Sequence, residues 1–133
     1  MLAAIAPVTA VRGNNDHAPS FWSLPETAVV ELGALRALVI HDLGDRGKPH
    51  PLARGMIAAQ RPQLVIHGHS HRPEAVRLDG TLYVNPGSAG PRRFSLPRTA
   101  ALLEVEQRQV ELRFYDLSGQ RPRPFGKPVR EAF

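Results

Sequence analysis

A chain of 133 residues with 42% hydrophobic residues has room for one domain with one core, and this composition excludes wholesale disorder. Its 17 Lys and Arg residues outnumber its 12 Asp and Glu residues, which gives a formal charge of +5 and leaves an anionic partner open. Because there are no cysteines, disulfides and thiolate metal sites are excluded.

The first half of the chain has an α/β pattern. The opening MLAAIAPVTA is too short to span a membrane and lacks the basic region of a secretory signal, so we expect a cytoplasmic protein. We predict a short buried strand at 7–13 that ends in a glycine turn, and further strands at 27–32 and 35–42. The loop LGDRGKPHP follows, and apolar residues at helical spacing predict a helix at 52–60.

The second half is rich in predicted strands. A buried strand at 64–67 is followed by a hairpin, 74–78 and 81–85, that turns at Asp79-Gly80. A second hairpin joins 99–106 to 110–117. We therefore predict one domain at 1–117, followed by a Pro- and Arg-rich tail at 118–133 that is extended or frayed.

The excess positive charge lies largely in that tail. Four of its residues are basic: Arg121, Arg123, Lys127 and Arg130. Because no aromatic residues are interleaved with them as in a nucleic-acid-binding surface, a solvated tail is favoured over a nucleic-acid patch. We expect neither nucleic acid nor a membrane as the partner.

Three histidines, His67, His69 and His71, stand at alternate positions in LVIHGHSH, directly after a predicted strand. On an extended backbone, residues at i and i+2 point to the same side, so His69 and His71 could chelate together. Imidazole suits zinc, iron, manganese and nickel. His41 and the pair Asn14-Asn15 also follow predicted strands, and such strand ends meet at one edge of an open α/β sheet.

These residues allow two designs of metal site. One is a single ion held by three histidines with an open position for water. The other is a two-metal site in which oxygen ligands complete the coordination. The amide oxygen of Asn14 is a suitable hard ligand and favours the second design, although RGNND is also a good turn sequence.

The chain resembles the calcineurin-like metallophosphoesterase superfamily in the order and spacing of four motifs, VRGNNDH, LVIHD, HGHSHRP and NPGSAGPRR. The resemblance extends from about residue 7 to about residue 116 and is strongest to the small bacterial and archaeal phosphodiesterase branch of the superfamily. The resemblance implies the C-terminal part of an αββα sandwich, an α/β fold with mixed β-sheets flanked by helices. It implies two divalent metal ions (Mn, Fe, Ni or Zn) and hydrolysis of a phosphate ester, in a small molecule or nucleotide, by a metal-activated water.

The resemblance also implies roles for individual residues. Asn14, His41 and His69 match ligands of the second metal, His71 matches a ligand of the first, and His67 falls at a variable position. Asn85 and Ser88 belong to the loop that borders the substrate, and Arg12 is a candidate phosphate-binding residue. Asn15 and Asp16 occupy the turn where relatives carry catalytic groups.

The chain departs from the family at three points. Many relatives have His at the position of Asn15, and an amide cannot act as an acid. Relatives tend to have Gly where this chain has Asp42. The D-x-H and G-D-x-x-D motifs, which supply the bridging Asp, are absent, so we expect an N-terminally truncated form with about one third of the family domain missing.

Two functions follow from this balance of retained and missing residues. The first is a metal-dependent phosphoesterase, most readily a phosphodiesterase, that is weak or inactive because at most one metal is held, and held weakly. The alternative is a non-catalytic scaffold with a phosphoesterase fold. Loss of the first strands would expose sheet edges, so exchange of elements with a second chain or homodimerisation along that edge is also expected.

Overall fold

The computed structural model describes residues 2–133, which contain ten strands, one α-helix and two short 3-10 turns. The strands are β1 (Thr27–Leu32), β2 (Leu35–Ile40), β3 (Gly44–Asp45), β4 (Lys48–Pro49), β5 (Leu64–His67), β6 (Pro73–Leu78), β7 (Thr81–Pro86), β8 (Thr99–Glu106), β9 (Gln109–Asp116) and β10 (Arg123–Ala132). The helix is α1 (Pro51–Gln60), and the 3-10 turns are Leu2–Ala4 and Pro19–Phe21.

The strands form two larger sheets and a small ribbon. The five-stranded sheet has the order β1-β2-β5-β7-β6, in which β2, β5 and β7 are parallel and the two outer strands are antiparallel to their neighbours. The three-stranded sheet, β10-β9-β8, is antiparallel. The ribbon β3-β4 lies between β2 and α1 along the chain.

Each face of the five-stranded sheet is covered by a different apolar cluster. On one face, residues such as Leu35, Ala37 and Leu64 pack with Leu112 and Phe114 of β9, which forms the core between the two sheets. On the other face, Leu38, Ile40 and Val65 pack with Ala53 of α1. Burial on both faces explains the continuous apolar runs of β2 and β5. The expected α/β class with mixed sheets is confirmed, with α1 as the one α-helix in the described residues.

Most predicted elements are confirmed within two residues at each end. The predicted strand at 35–42 ends earlier, at Ile40, and the loop after it contains the ribbon β3-β4, which sequence reasoning had not foreseen. No helix in the described part of the chain is long and apolar enough to cross a membrane.

The predicted strand at 7–13 is wrong. No described strand includes these residues, and Val8 is 53% exposed. Its sequence has the composition of a strand, but a strand is stable only beside a neighbour, and none of the ten described strands pairs with this segment. One backbone hydrogen bond, from Arg12 N to Pro25 O at 2.8 Å, anchors its end.

Of the two states expected for the tail beyond Ser118, extended or frayed, the structure shows the extended one: β10 pairs with β9 along two stretches separated by an irregularity between Phe125 and Val129. Its prolines are tolerated because β10 is an edge strand, where a missing N–H donor breaks no central ladder. Val129 and Phe133 pack against the core between the sheets, which accounts for the ordering of this basic segment.

Candidate metal centre

Two neighbouring parallel strands, β2 and β5, bring His41 and the HGHSH loop to one edge of the five-stranded sheet. Ile40, at the end of β2, is in register with His67, at the end of β5, so His41 and Gly68 leave the sheet side by side. Gly68 N donates to His41 O at 2.9 Å, which fastens the two exits together. Asn85 lies near the end of the neighbouring strand β7. The predicted convergence is therefore confirmed for the ends of β2 and β5, whereas Asn14 reaches His41 from a segment that is not a strand.

The turn at RGNND presents Asn14 to His41. The Oδ1 atom of Asn14 lies 2.6 Å from Nε2 of His41. Asp16 Oδ2 accepts a hydrogen bond from Gly13 N at 2.6 Å, so this carboxylate shapes the turn. A Cβ at Gly13 would lie 3.3 Å from the His41 ring, so glycine permits this close approach. Asn15 is exposed at the tip of the turn.

His69 lies beside this pair. The rings of His41 and His69 meet edge to face, with centroids 5.4 Å apart and an interplanar angle of 86°. Both His69 and His71 have left-handed backbones, with φ of 67° and 60°. The argument that an extended backbone directs these two side chains to the same side is therefore wrong.

Asn85 holds the HGHSH loop to β7. Its Nδ2 donates to Gly68 O at 3.0 Å and to Ser70 Oγ at 2.9 Å, and its Oδ1 accepts from Gly87 N at 2.9 Å. The side chain is fully buried, so it presents no atom to a substrate. Asn85 therefore positions the loop, and this is the role that the structure supports for a residue expected to bind substrate.

Arg12 and Ser88, both predicted to bind substrate, each contact a residue outside the proposed ligand set. The Arg12 guanidinium is 3.5 Å from the Glu26 carboxylate and lines a cavity of about 370 Å³ with Asn14 and His41. Ser88 O accepts a hydrogen bond from Thr99 N at 2.9 Å, which ties the NPGS loop to β8. Their contact with substrate stays a prediction.

Asp42 is the anionic group closest to the histidines. Its Oδ2 lies 3.9 Å from His69 Nε2 and 3.5 Å from His50 Nε2. Partial burial raises the pKa of Asp42, but the hydrogen bond from Gly44 N and the charges of nearby histidines lower it by more. The net pKa is therefore below the usual value. Burial, followed by the charge of His69, lowers the pKa of His41.

The residues present fit one divalent ion by their chemistry. Asn14 supplies a hard oxygen and His41 a neutral nitrogen at adjoining positions, and His69 supplies a second nitrogen beside them. Within Leu2–Phe133, no three His, Asp or Glu side chains are arranged to hold an ion on their own. A site with three protein ligands here would need a donor of another type, and the Asn14 amide oxygen is such a donor.

Burial of His41 and His67 predicts that the protein loses stability in weak acid. The pKa of each is lowered from 6.5, chiefly by burial, so below pH 6.5 the unfolded chain takes up protons that the folded chain does not. The free energy of unfolding should therefore fall as pH falls through 6.5. Urea unfolding at pH 7.5 and 5.5 measures the slope, and His67→Phe should flatten it. An unchanged slope in the variant would contradict the assignment to His67.

Sequence reasoning missed one further contact near the centre. Arg46, in the ribbon, forms an ion pair with Glu74 of β6, with Nη1 and Oε1 2.5 Å apart. The two residues are 28 positions apart and lie in different elements, so no local pattern linked them.

Known proteins share this fold. Vps29 from Cryptosporidium parvum superposes with a TM-score of 0.74 at 21% identity, over 92% of this chain and 68% of that one. Vps29 from Entamoeba histolytica complexed with Zn²⁺ gives 0.74 at 23% identity, over 97% and 72%. A predicted phosphoesterase from Streptococcus pneumoniae gives 0.74 at 22% identity, over 94% and 70%. At these identities the likeness shows the fold alone.

The sequence comparisons extend this result to the family. The chain is 28% identical over 122 residues to the probable metallophosphoesterase YsnB of Bacillus subtilis, a match that covers 87% of this chain and 68% of YsnB. The calcineurin-like phosphoesterase superfamily domain matches residues 1–108, which is most of the chain. The protein therefore belongs to the calcineurin-like phosphoesterase superfamily.

Proposed function

We propose that this chain binds a divalent metal ion through Asn14, His41 and His69 and takes part in phosphate-ester hydrolysis, with a phosphodiester in a small molecule or nucleotide as the natural substrate. The observation that carries the proposal is the 2.6 Å approach of Asn14 Oδ1 to His41 Nε2, with the His69 ring alongside. The probable metallophosphoesterase YsnB and the zinc complex of a Vps29 protein support it as relatives.

In this proposal, the residues around the cavity lined by Arg12, Asn14 and His41 have different roles. A bound divalent metal of this kind lowers the pKa of a water ligand and neutralises phosphate charge. In this proposal Arg12 exchanges its contact with Glu26 for one with phosphate, which its position in the lining of the cavity supports. The amide of Asn15 cannot protonate a leaving group, and Asp16 is engaged by Gly13 N, so hydrolysis should favour esters with good leaving groups. We expect weak turnover and one weakly held ion (Mn, Fe, Ni or Zn). We also expect a reducing, cytoplasmic setting, because the chain has no cysteine.

His41→Ala is expected to weaken Mn²⁺ binding at least about 100-fold, because it removes a nitrogen ligand from a set with few donors. Titration calorimetry measures the affinity, and elemental analysis measures the bound metal. His17→Ala is the matched control, since His17 is an exposed imidazole close to the same turn. Equal Mn²⁺ affinity in the two variants would overturn the assignment of His41.

Hydrolysis of bis-p-nitrophenyl phosphate in the presence of Mn²⁺ tests the catalytic part of the proposal. The natural chain should turn over this activated diester above the level of a His69→Ala/His71→Ala double variant. If the natural chain binds Mn²⁺ but its rate equals that of the double variant, the protein holds metal without acting as a phosphoesterase.

The edge strand β8 favours a second candidate, an interaction protein. β8 ends the three-stranded sheet, and Leu102 on this strand is 47% exposed. An unpaired edge of this kind pairs readily with another strand, so we propose a second copy of this chain as the partner. Light scattering should detect a dimer that Leu102→Lys weakens. A monomeric natural chain would exclude this dimer.

A further inference from the structure

One end of the three-stranded sheet joins two connecting segments that lie far apart in the sequence. The start of β8, the end of β9 and the start of β10 meet at this end, because Thr99 and Arg123 are both in register with Asp116. The loop at 87–98 leads into β8, and the turn at 117–122 connects β9 to β10. The loop and the turn therefore lie side by side at this end of the sheet.

Hydrogen bonds and charges both connect the loop to the turn. Leu117 N donates to Arg98 O at 2.8 Å, and Arg98 Nη2 donates to Leu117 O at 3.1 Å. Hydrogen bonds from the turn lower the pKa of Asp116, and the charges of Arg123 and Arg92 lower it further. Guanidinium groups from β10 and from the loop thus act on the same carboxylate. We call 87–98 together with 116–123 the arginine surface.

The arginine surface has an excess of positive charge. Asp116 is its one carboxylate, whereas its five arginines are Arg92, Arg93, Arg98, Arg121 and Arg123. Four of these five are exposed, and between Leu2 and Phe133 no carboxylate lies within ion-pair distance of any of them. At the opposite end of the same sheet the charges are balanced, since Glu104 and Glu111 both pair with Arg113. The unbalanced end therefore favours a polyanionic partner.

An exposed aromatic ring belongs to the same surface. Phe94 is 89% exposed, and its φ of 56° lies in the left-handed region, which bulky residues rarely adopt. Leu96 N donates to Arg93 O at 3.3 Å and Arg92 Nη2 donates to Ser95 O at 3.3 Å, so a closed turn carries Phe94. Exposure and left-handed backbone both cost free energy, and no core contact of the ring offsets them. The ring is therefore available to a flat ligand.

This combination of groups fits single-stranded nucleic acid. Proteins bind such strands with cationic side chains along the phosphates and with aromatic rings on which the bases stack. A membrane surface attracts the same charges, but one exposed ring supplies little apolar area for insertion between lipids. The expectation of no nucleic-acid partner was drawn from the tail sequence alone, whereas the fold brings the start of the tail beside the loop that contains Phe94.

We propose that the arginine surface binds single-stranded nucleic acid, with Phe94 stacked on a base and the exposed arginines in contact with phosphates. This inference goes beyond the proposed phosphoesterase function and does not depend on it, because none of the proposed metal ligands belongs to this surface. Every binding measurement below is therefore made in EDTA, so that loss of metal binding or of hydrolysis leaves the result intact.

Fluorescence anisotropy of a labelled strand of ten thymidine nucleotides tests the role of the ring. We expect the natural chain to bind this strand about tenfold more tightly than an abasic strand of the same length, as one stacked base implies. Phe94→Ala should remove this preference. Arg54→Gln is the control, since Arg54 is exposed on α1, on the other face of the five-stranded sheet. Equal affinity of the natural chain for the two strands would overturn the proposal.

The salt dependence of binding tests the arginines. Each phosphate contact with a single strand contributes about 0.7 to the slope of log affinity against log salt, so Arg93→Gln/Arg121→Gln should lower the slope by about 1.4. Arg54→Gln should leave it unchanged. An unchanged slope in the double variant, or displacement of the strand by phosphatidylserine vesicles at equal phosphate concentration, would overturn the proposal. The replaced side chains are all exposed, so circular dichroism should show folded variants, and the salt slope still decides if Phe94→Ala does not fold.

Discussion

Replacing Gly87 by alanine is expected to destabilise the fold by about 2–5 kcal/mol, because overpacking and left-handed strain act together. Gly87 has a φ of 81°, and a Cβ added there would lie 1.8 Å from Thr99 Oγ1. Thr99 cannot move aside at little cost, since it is 1% exposed and its hydroxyl donates to Pro86 O at 2.8 Å. Urea unfolding of the variant measures the loss.

Gly80→Ala is the matched control for this effect. Gly80 has the same φ of 81°, but nothing lies within 4 Å of its added Cβ, so only the backbone strain of about 1–2 kcal/mol remains. The difference between the two variants isolates the contact of Gly87 with Thr99. If both variants lost the same stability, the close packing of the NPGS loop against β8 would be contradicted.

The strand ends that carry the candidate ligands could be predicted from sequence because their pattern is local. The runs LRALVI and LVIH are apolar apart from Arg36 and the terminal His67, as expected of strands buried on both faces, and His41 directly follows the first of them. Parallel strands with such ends have only one edge at which their polar termini can meet. The proximity of His41 and His69 can therefore be predicted from the order of these short segments along the chain.

Other features depend on partners distant in sequence and could not be predicted this way. The segment 7–13 has the composition of a strand but no described neighbour, whereas the Pro-rich β10 lacks strand propensity but is ordered by β9 and by core contacts of Val129. The left-handed backbones of His69 and His71 likewise follow from how the loop is fastened. The sequence HGHSH by itself favours no such conformation for histidine.

Asn85 connects this fastening to the candidate centre. Gly68 and Ser70, the residues on either side of His69, both receive hydrogen bonds from the Asn85 amide, and its oxygen receives one from the NPGS loop. Together with the hydrogen bond from Gly68 N to His41 O, this buried side chain thus holds the loop that carries His69 beside His41. The asparagine of an NPGS loop can therefore be essential to metal binding without touching metal or substrate.

Asn85→Leu is expected to cost about 2–4 kcal/mol of stability and to weaken Mn²⁺ binding about tenfold or more. Leucine has a similar volume, but it leaves the partly buried Gly68 O and Gly87 N without their partner, and unsatisfied buried groups cost about 1–3 kcal/mol each before relaxation. Ser70 also loses its partner, but its side chain is exposed and can bond to water. Urea unfolding and Mn²⁺ titration, performed on the same preparations, measure the two effects.

Ser70→Ala is the control, since it removes one of these three hydrogen bonds and leaves the other two. It should cost less than about 1.5 kcal/mol and reduce Mn²⁺ affinity only slightly. If Asn85→Leu lost stability but bound Mn²⁺ as the natural chain does, Asn85 would support the fold without positioning His69. If Asn85→Leu loses both stability and Mn²⁺ affinity while Ser70→Ala keeps both, the buried amide holds the histidine loop in its binding position.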